Sequence, residues 1–214
     1  MSSEGVRSQV ARRGVCLVVA AASGTGKSSV LRQVLMSEPA LGLSVSATTR
    51  APRPGERDGV DYRFTDQTGF AAMVAAGGML EWAHVFGQSY GTPREPVERM
   101  LGSGLDVSFD IDWQGHRQLR AAMPTDLVSV FLLPPSYQAL RSRLGLRGDA
   151  SDEIVRRLAV ACDEMAHWGE FDHVVINDVL EDTVAAVRAI LAAARCSRAR
   201  QVGMGAFVAD LSPR

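Results

Sequence analysis

Residues 44–64 (SVSATTRAPRPGERDGVDYRF) place two arginines, several hydroxyls and a tyrosine around a loop that glycine and proline stiffen. Arg50 and Arg53 can each present two parallel N–H donors to phosphate oxygens, because the guanidinium group is planar. Thr49 and Tyr62 can add neutral donors. This composition predicts a binding site for a phosphate group.

A second phosphate-binding pattern lies upstream at residues 21–28 (AASGTGKS), between an apolar run and a helical pattern. Gly24 and Gly26 allow backbone N–H groups to turn toward an anion, and Lys27 can reach terminal phosphates. Ser28 stands at the N-terminus of the following helix, where its hydroxyl can bind Mg²⁺. Two phosphate-binding segments in one chain indicate phosphoryl transfer.

This second segment departs from the usual GxxxxGK[ST] pattern at its first glycine, which is Ala21 here. Alanine adopts the positive φ values open to glycine only at an energetic cost, so Ala21 bears on the tightness of the first turn of the loop. The alternative interpretation is an ordinary strand-to-helix turn of small residues. That alternative leaves the SGTGKS core unexplained.

The composition is that of one domain with insertions. The chain has 214 residues, of which 46% are hydrophobic, so it can bury one sizeable core. Its 23 basic and 24 acidic residues give a formal net charge of −1, which favours neither nucleic acid nor an anionic membrane as a partner. The apolar runs fall short of the ~20 residues that span a bilayer. We therefore expect a cytoplasmic protein, either a monomer or a homo-oligomer.

The cysteines and histidines show no metal-ligand spacing. Cys16, Cys162 and Cys196 are scattered along the chain, and none belongs to a CxxC motif. This spacing favours a reducing compartment and buried thiols that act as small apolar side chains, rather than disulfides or metal ligands.

Short β-branched runs alternate with helical patterns, which is typical of a parallel sheet covered by helices. Residues 51–92 depart from this rhythm and are interpreted as an inserted lobe. The arginine-rich residues 141–157 contain turn residues and are interpreted as a mobile segment between two helices. Strands are predicted at 15–20, 43–47, 79–86, 105–110, 127–133 and 173–176, and helices at 27–36, 70–76, 151–168 and 181–194.

Six motifs resemble those of the guanylate kinase family, and the resemblance covers residues 14–194. They are ASGTGKS, SVSATTRAPRPGERDGVDYRF, LEW, YGT, DIDWQG and RLGLRG. The resemblance implies transfer of the γ-phosphoryl group of ATP to GMP with Mg²⁺, giving ADP and GDP. It also implies an α/β fold of the P-loop NTPase type, with a parallel sheet flanked by helices, a lobe that binds the nucleoside monophosphate, and a lid. The expected domain spans 14–196, with core 14–47, 105–140 and 158–196, lobe 48–104, lid 141–157, and loose ends 1–13 and 197–214.

The chemistry of guanine can be compared with the residues available. Guanine offers an acceptor at O6 and donors at N1 and N2, so a carboxylate and a hydroxyl donor would read that edge. Glu81, Ser46 and Thr92 supply these groups, and the resemblance gives the same positions this role. Adenine presents the opposite polarity, and such mismatches discriminate by ~10⁴ or more, so AMP is expected to be a very poor acceptor. Without the resemblance, a solvated carboxylate and local turn hydroxyls are the ordinary interpretation.

Asp110 and Asp112 are two residues apart, so on a strand they face the same side of the sheet at its carboxyl edge, where α/β proteins bind ligands. One could orient Mg²⁺ through water and the other could contact the guanine amino group. The spacing does not decide which does which, and helix capping is the alternative role. The resemblance implies that the phosphate of GMP is held by Arg50, Arg53, Tyr62 and Tyr90.

The expected catalytic groups are cations that neutralise the phosphoryl group during transfer. No general base is required, because GMP has a second phosphate pKa of about 6 and is largely dianionic at neutral pH. A solvated basic helix face is the alternative for the arginines. The resemblance implies catalysis by Lys27, Arg143, Arg147 and Arg157 (or Arg156 in place of Arg157), and ATP binding by Ala21, Ala22, Ser23, Gly24, Thr25, Gly26, Lys27, Ser28, Ser29 and, near the adenine, Asn177.

Two alternative functions fit part of this pattern. Guanylate-kinase-like domains of scaffold proteins bind peptides instead of catalysing, and they typically have a damaged phosphate loop. This chain keeps Lys27 and Ser28, which disfavours that role. A different small-molecule kinase, such as a ribose-bisphosphate kinase, would have no use for a guanine-reading carboxylate with two hydroxyls.

Overall fold

The computed structural model describes residues 10–145 and 151–212. It contains two sheets, one of five strands and one of four. In chain order the elements are β1 (Cys16–Ala21), α1 (Lys27–Ser37), β2 (Leu41–Leu43), β3 (Ala47–Thr48), β4 (Arg63–Phe64), α2 (Gln67–Ala75), β5 (Met79–Val85), β6 (Gln88–Pro93), α3 (Arg94–Gly102), β7 (Asp106–Phe109), α4 (Trp113–Ala122), β8 (Leu127–Leu133), α5 (Tyr137–Gly145), α6 (Ser151–Met165), a 3₁₀ segment (Ala166–Glu170), β9 (His173–Ile176), α7 (Leu180–Arg195), a second 3₁₀ segment (Arg198–Arg200) and α8 (Met204–Leu211).

The five-stranded sheet forms the core of the protein. Its strands are all parallel and follow the order β2-β7-β1-β8-β9. Even-numbered residues of β1 enter one hydrophobic cluster and odd-numbered residues another, because side chains alternate across a strand. Helices cover both faces, as parallel sheets require. They contribute Val30, Val34, Val187 and Leu191 to the odd-numbered side, and Val97, Leu101 and Leu119 to the even-numbered side.

The four-stranded sheet, in the order β4-β3-β6-β5, forms the inserted lobe together with α2. Its buried cluster is small and consists of Ala47, Phe70 and Met79, against which two further side chains pack. Gln118 on α4 ties this lobe to the core. Its side-chain amide accepts a hydrogen bond from the Trp82 backbone N–H (3.0 Å) and donates one to the Trp82 carbonyl (2.9 Å). The edge strand β5 therefore finds a hydrogen-bonding partner on the core.

The structure differs from the predicted organisation in several places. Residues 141–145 and 151–157, which were interpreted as part of a mobile segment between two helices, belong to α5 and α6 themselves. The predicted strand at 43–47 is two short strands, β2 and β3, which belong to different sheets. Helix α3 was expected within the lobe, but Val97 and Leu101 on its apolar face pack into the core cluster. The chain therefore returns from the lobe to the core at α3, before residue 104.

The described parts of the two ends are held against the core, which corrects the expectation of loose ends. Arg200 is buried and donates to the carbonyls of Gly14 (2.9 Å) and Asp126 (2.8 Å). Arg12 forms an ion pair of 2.7 Å with Asp106, whose side chain is fully buried. Buried carboxylates and carbonyls need partners, and these arginines supply them at the amino edge of the sheet. The sequence lacks a clear apolar period at both ends, which gave no sign of these contacts.

The thiols also differ from expectation. Cys16 is buried, and burial raises the pKa of its thiol to about 12, whereas Cys162 and Cys196 are exposed. In the two described ranges, no helix combines the length and the apolar character needed to cross a membrane.

Candidate functional site

The phosphate-binding segment at residues 21–28 connects the end of β1 to the start of α1. Gly24 and Gly26 have φ values of 85° and 102°, which other residues rarely adopt. A Cβ atom at Gly26 would lie 2.7 Å from the side-chain nitrogen of Asn177. Ala21 is the last residue of β1, and Phe86 is the one non-glycine residue with positive φ in the described ranges. Ala21 therefore avoids the conformation that would require glycine.

This segment borders a cavity of about 320 Å³, the donor cavity. The loop and the start of α1 form one wall. Asp112 and Glu164 close it from other elements. Its lining residues are Ala21, Ala22, Ser23, Gly24, Gly26, Lys27, Ser28, Ser29, Asp112 and Glu164. Of the predicted ATP-binding residues, Thr25 is fully buried beneath the loop rather than in the cavity wall.

Asp110 and Asp112 follow the end of β7 rather than lying on it, so the premise of two carboxylates on one strand is wrong. Asp110 forms an ion pair with Lys27, with 2.5 Å between Oδ1 and Nζ. Asp112 caps α4 and accepts from the backbone N–H groups of Gln114 and Gly115, both at 2.9 Å. Asp112 therefore has the alternative role, that of a helix cap. It also borders both cavities.

A second cavity of about 210 Å³, the acceptor cavity, lies between the lobe and the carboxyl edge of the core sheet. It brings together six of the nine predicted GMP-binding residues: Ser46, Tyr62, Glu81, Tyr90, Asp110 and Asp112. Its remaining lining residues are Ala83, Val85, Gly91, Ile111 and Gly115.

Glu81 is a buried carboxylate in this cavity. Thr92 is also buried and donates its hydroxyl proton to Glu81 Oε1 at 2.6 Å. Burial raises the pKa of Glu81 above its ordinary value of 4.5, and the hydrogen bond from Thr92 opposes this shift. Gly115 leaves space beside the carboxylate, since a Cβ atom there would lie 3.3 Å from Glu81 Oε2. Because the one hydroxyl proton of Thr92 goes to Glu81, Ser46 is the one of the two expected guanine-reading hydroxyls that can still donate into the cavity.

Arg50 lies next to the acceptor cavity, beside two of its tyrosines. Its guanidinium carbon is 5.3 Å from the centroid of the Tyr62 ring, and its hydrogen bond to Glu56 is the largest cause of a raised Arg50 pKa, with a smaller contribution from Tyr90. The Arg53 side chain is exposed and does not line the cavity. Thr49 was expected to add a phosphate donor, but its hydroxyl donates to Gln88 Oε1 (3.1 Å) within the lobe.

The predicted lid residues are partly engaged with the phosphate loop. Arg143 on α5 donates to the Thr25 carbonyl (3.1 Å) and to the Asn177 carbonyl (3.0 Å). Arg157 on α6 donates to the Ser23 hydroxyl (3.1 Å), and Arg156 is exposed on the same helix. Arg147 lies outside the described residues. Two of the three expected lid arginines therefore contact the loop that they were expected to cover.

Asn177 was expected near the adenine of ATP. The structure places its side chain behind the phosphate loop, buried, where Nδ2 donates to the Thr25 carbonyl at 2.7 Å. It does not line the donor cavity. Its amide fixes the loop, so an adenine contact through this N–H would require breaking a buried hydrogen bond.

Two carboxylates near the phosphate-binding segments were missed in the sequence. Glu164 on α6 accepts from the backbone N–H of Ser23 at 3.0 Å. Glu56 accepts from Arg50 and from the backbone of Arg53. A signal existed for each. Glu164 lies seven residues after Arg157 and so on the same helix face, and Glu56 closes the turn around Pro-Gly that follows Arg53.

Comparisons with known proteins identify the family of the chain. The sequence model of the guanylate kinase family matches residues 13–194. The guanylate kinase of Gluconobacter oxydans is 53% identical over 205 residues, which cover 95% of this chain and 99% of that protein. That of Granulibacter bethesdensis is 57% identical over 193 residues, or 90% of this chain and 91% of that protein. The crystal structure of the Anaplasma phagocytophilum enzyme superposes with a TM-score of 0.71 at 34% identity, covering 92% of this chain and 95% of that one. The chain therefore belongs to the guanylate kinase family.

Proposed function

We propose that the chain performs the reaction of its family, transfer of the γ-phosphoryl group of ATP to GMP to give ADP and GDP, with the donor cavity for ATP and the acceptor cavity for GMP. One observation carries the assignment of cavities: Asp112 lines both of them. A phosphate on the loop and a phosphate in the acceptor cavity would then be neighbours. A role in purine nucleotide metabolism and a cytoplasmic location stay predictions from the sequence.

In the donor cavity, the backbone of the glycine-containing loop would receive the phosphates of ATP. Amide groups at a helix N-terminus favour anions through their partial positive charge. Lys27 at the start of α1 would leave Asp110 and approach the terminal phosphates. Arg143 and Asn177 support the loop from below through the Thr25 carbonyl.

The residues here fit Mg²⁺, because the Ser28 hydroxyl at the start of α1 and the Asp110 and Asp112 carboxylates are all oxygen donors. Mg²⁺ is typically held by one or two carboxylates together with substrate phosphates, so a small protein contribution is enough. The described residues contain no cluster of three acidic, histidine or cysteine side chains that could hold a metal without substrate. When bound, Mg²⁺ would withdraw charge from the β- and γ-phosphates.

In the acceptor cavity, Glu81 would accept from N1–H and N2–H of guanine, while Ser46 would donate to O6. Thr92 would hold the Glu81 carboxylate in place rather than donate to the base. Adenine would face the carboxylate with an unprotonated N1, so a buried acceptor would meet another acceptor. In sites built on hydrogen bonds, such a mismatch lowers kcat/KM for the wrong substrate by a factor of roughly 10⁴.

The phosphate of GMP would be received by Arg50 with Tyr62 and Tyr90. The exposed Arg53 side chain would have to turn inward to reach it. During transfer, the attacking group is a phosphate oxygen that already carries negative charge, so the side chains position and neutralise rather than remove a proton. Arg157 would contribute positive charge from α6, and the same role is proposed for Arg147.

The direct test is ADP production with Mg-ATP and each of GMP, AMP, CMP and UMP. The expected result is rapid turnover with GMP and at least ~10³-fold lower kcat/KM with AMP. The Lys27→Ala variant, assayed in parallel, sets the background. Equal turnover with AMP and GMP would contradict the guanine-reading role of Glu81. If the folded protein turns over none of the four acceptors and binds neither ATP nor GMP, the proposed function as a whole is contradicted.

A further inference from the structure

The loop that follows Arg50 closes on itself through a tight turn. Pro54 and Gly55 occupy its central positions, and Gly55 has a φ of 90°, which a type II turn requires at its third residue. The Glu56 backbone N–H donates to the Arg53 carbonyl at 3.1 Å. In return, the Arg53 backbone N–H donates to Glu56 Oε2 at 2.7 Å. The sequence PRPGE therefore brings the Glu56 carboxylate back beside the arginines.

The same carboxylate holds Arg50. Both Glu56 oxygens accept from one guanidinium nitrogen of Arg50, at 2.8 and 3.0 Å. A second nitrogen of Arg50 donates to the Ala51 carbonyl at 2.7 Å. The guanidinium also lies against the rings of Tyr62 and Phe64, at 5.3 and 5.9 Å from their centroids. Arg50 is therefore fixed on several sides at the edge of the acceptor cavity.

We propose that Glu56 is a positioning residue for the acceptor: its carboxylate holds the Arg50 guanidinium and the Arg53 backbone in the arrangement that receives the phosphate of GMP. The inference rests on the proposed function, because it takes the acceptor cavity as the GMP site. Glu56 does not itself line that cavity. It acts on the nucleotide through Arg50.

The hydrogen bonds of Arg50 leave room for a phosphate. An arginine has five N–H donors. Within the described part of the chain, the backbone and carboxylate acceptors bonded to Arg50 all lie on its two terminal nitrogens, and Nε has none. Glu56 therefore binds Arg50 without using all of its donors. Ordering a long side chain on binding costs free energy, and an arginine that is already ordered avoids that cost.

The test compares GMP with guanosine, which carries the same base without a phosphate. KM for GMP, Ki for guanosine as a competitor of GMP, and KM for ATP are measured for the wild type, Glu56→Gln and Glu56→Ala. The expected result is a rise in KM for GMP of about tenfold in Glu56→Ala, which is ~1.4 kcal/mol, and a smaller rise in Glu56→Gln, whose amide oxygen still accepts. Ki for guanosine and KM for ATP should not change.

Glu95→Gln is the matched control, because it neutralises an exposed glutamate that pairs with Arg99 on α3. It should leave all three constants unchanged. A lower KM for GMP in Glu56→Ala would overturn the proposal and show that the carboxylate competes with phosphate. An equal rise in KM for GMP and in Ki for guanosine would also overturn the proposal, because such a result would indicate general damage to the lobe. If Glu56→Ala fails to fold, Glu56→Gln decides by the same comparison.

Failure of this inference differs from failure of the proposed function. A wild-type protein that uses GMP, with both Glu56 variants unchanged, overturns the inference alone. A wild-type protein that binds neither GMP nor guanosine overturns both.

Discussion

The donor cavity and the acceptor cavity meet at Asp112 but are built from different parts of the chain. The donor cavity is formed mainly by backbone and small residues between β1 and α1, on a sheet that is buried on both faces. The acceptor cavity depends on side chains such as Glu81, Tyr62 and Tyr90, most of them on the lobe. The lobe has a hydrophobic cluster of only three buried residues.

This difference separates two tasks. A phosphate chain is similar in every nucleoside triphosphate, so backbone amides on a rigid core are sufficient to bind it. Recognition of guanine needs particular side chains, and a small lobe can present them and then move. Small, weakly packed units open at lower free energy than a large core. Substitutions should therefore affect the two sites independently.

The largest effect is expected for Lys27→Ala. Lys27 is the only lysine in the sequence, and it is paired with Asp110 at the edge of the donor cavity. Loss of its charge should lower kcat by about 10³-fold, as for other groups that stabilise developing charge. The Kd for GMP, measured by calorimetry, should stay within about twofold, because Lys27 does not line the acceptor cavity and touches it only through its partner Asp110. A kcat within about tenfold of the wild type would contradict the assignment.

The next largest effect is expected for Glu81→Gln. The variant keeps an acceptor for Thr92 but presents an amide N–H to the guanine donors, so kcat/KM for GMP should fall about 10²- to 10³-fold. KM for ATP should not change. The stability of the folded protein should increase, although activity falls. Because burial raises the pKa of Glu81, its charge destabilises the folded protein near neutral pH.

Replacement of that charge should therefore increase the free energy of unfolding by about 1 kcal/mol at pH 7.5, as is common when a functional site is neutralised. The gain should shrink as the pH falls toward the Glu81 pKa, because the carboxylate is then neutral as well. Denaturant unfolding at the two pH values measures this. A variant that is less stable than the wild type at pH 7.5 would show that the carboxylate supports the fold.

Phe70→Ala tests whether the lobe is the weaker unit. Phe70 is 3% exposed and is the largest side chain of the lobe cluster. Its truncation costs about 3–5 kcal/mol in a packed site, and most of that should appear as local opening of the lobe. Hydrogen exchange should accelerate in β5 and β6 but not in β1 and β8, and KM for GMP should rise about tenfold. Uniform acceleration in both sheets would show that the lobe and the core unfold together.

A pH series with guanosine isolates Glu81 from the phosphate of GMP. Burial raises the pKa of Glu81 above 4.5, and only the ionised carboxylate can accept from both guanine nitrogens. Ki for guanosine should therefore be constant at high pH and rise up to about tenfold per pH unit below that pKa. Glu81→Gln should lose this dependence. A wild-type Ki that is independent of pH down to 4.5 would contradict the role of the carboxylate.

The smallest effect is expected for Ala21→Gly, which restores the usual first glycine of the loop. Ala21 belongs to β1 and avoids positive φ, so glycine offers no conformational advantage there. KM for ATP should change by less than about twofold. A large decrease in KM for ATP would show that the alanine strains the loop when ATP is bound.

The repeating elements of the core were predictable from the sequence, because buried parallel strands form continuous apolar runs. The run at 127–133 matches the buried strand β8 without any shift. The run at 173–176 matches β9, a largely exposed edge strand that its β-branched residues indicate. The predicted strand at 43–47 failed because periodicity does not show that a chain crosses from one sheet to another. The ends of the chain failed for a different reason. Arg200 is polar in sequence, and only the fold reveals the buried carbonyls that it serves.

The candidate residues of the acceptor cavity came from the family resemblance, because residue type alone favours ordinary surface roles for them. The fold brings Glu81, Ser46 and Tyr90 to one cavity. Contacts between distant residues could not be predicted in the same way. The Thr92 hydroxyl donates to the Glu81 carboxylate, and the Asn177 amide donates to the Thr25 carbonyl. Glu164 accepts from the Ser23 backbone N–H. Each of these depends on a hydrogen bond whose partner is set by three-dimensional proximity.

The most direct test of the separation between the two sites is a set of four binding measurements. The Kd of a non-hydrolysable ATP analogue and the Kd of GMP are each measured by calorimetry for Lys27→Ala and Glu81→Gln, with the wild type as reference. The account predicts that Glu81→Gln loses at least about tenfold in GMP affinity and keeps its affinity for the ATP analogue, whereas Lys27→Ala keeps its GMP affinity. Loss of both affinities in either folded variant would contradict a donor site and an acceptor site that are built independently.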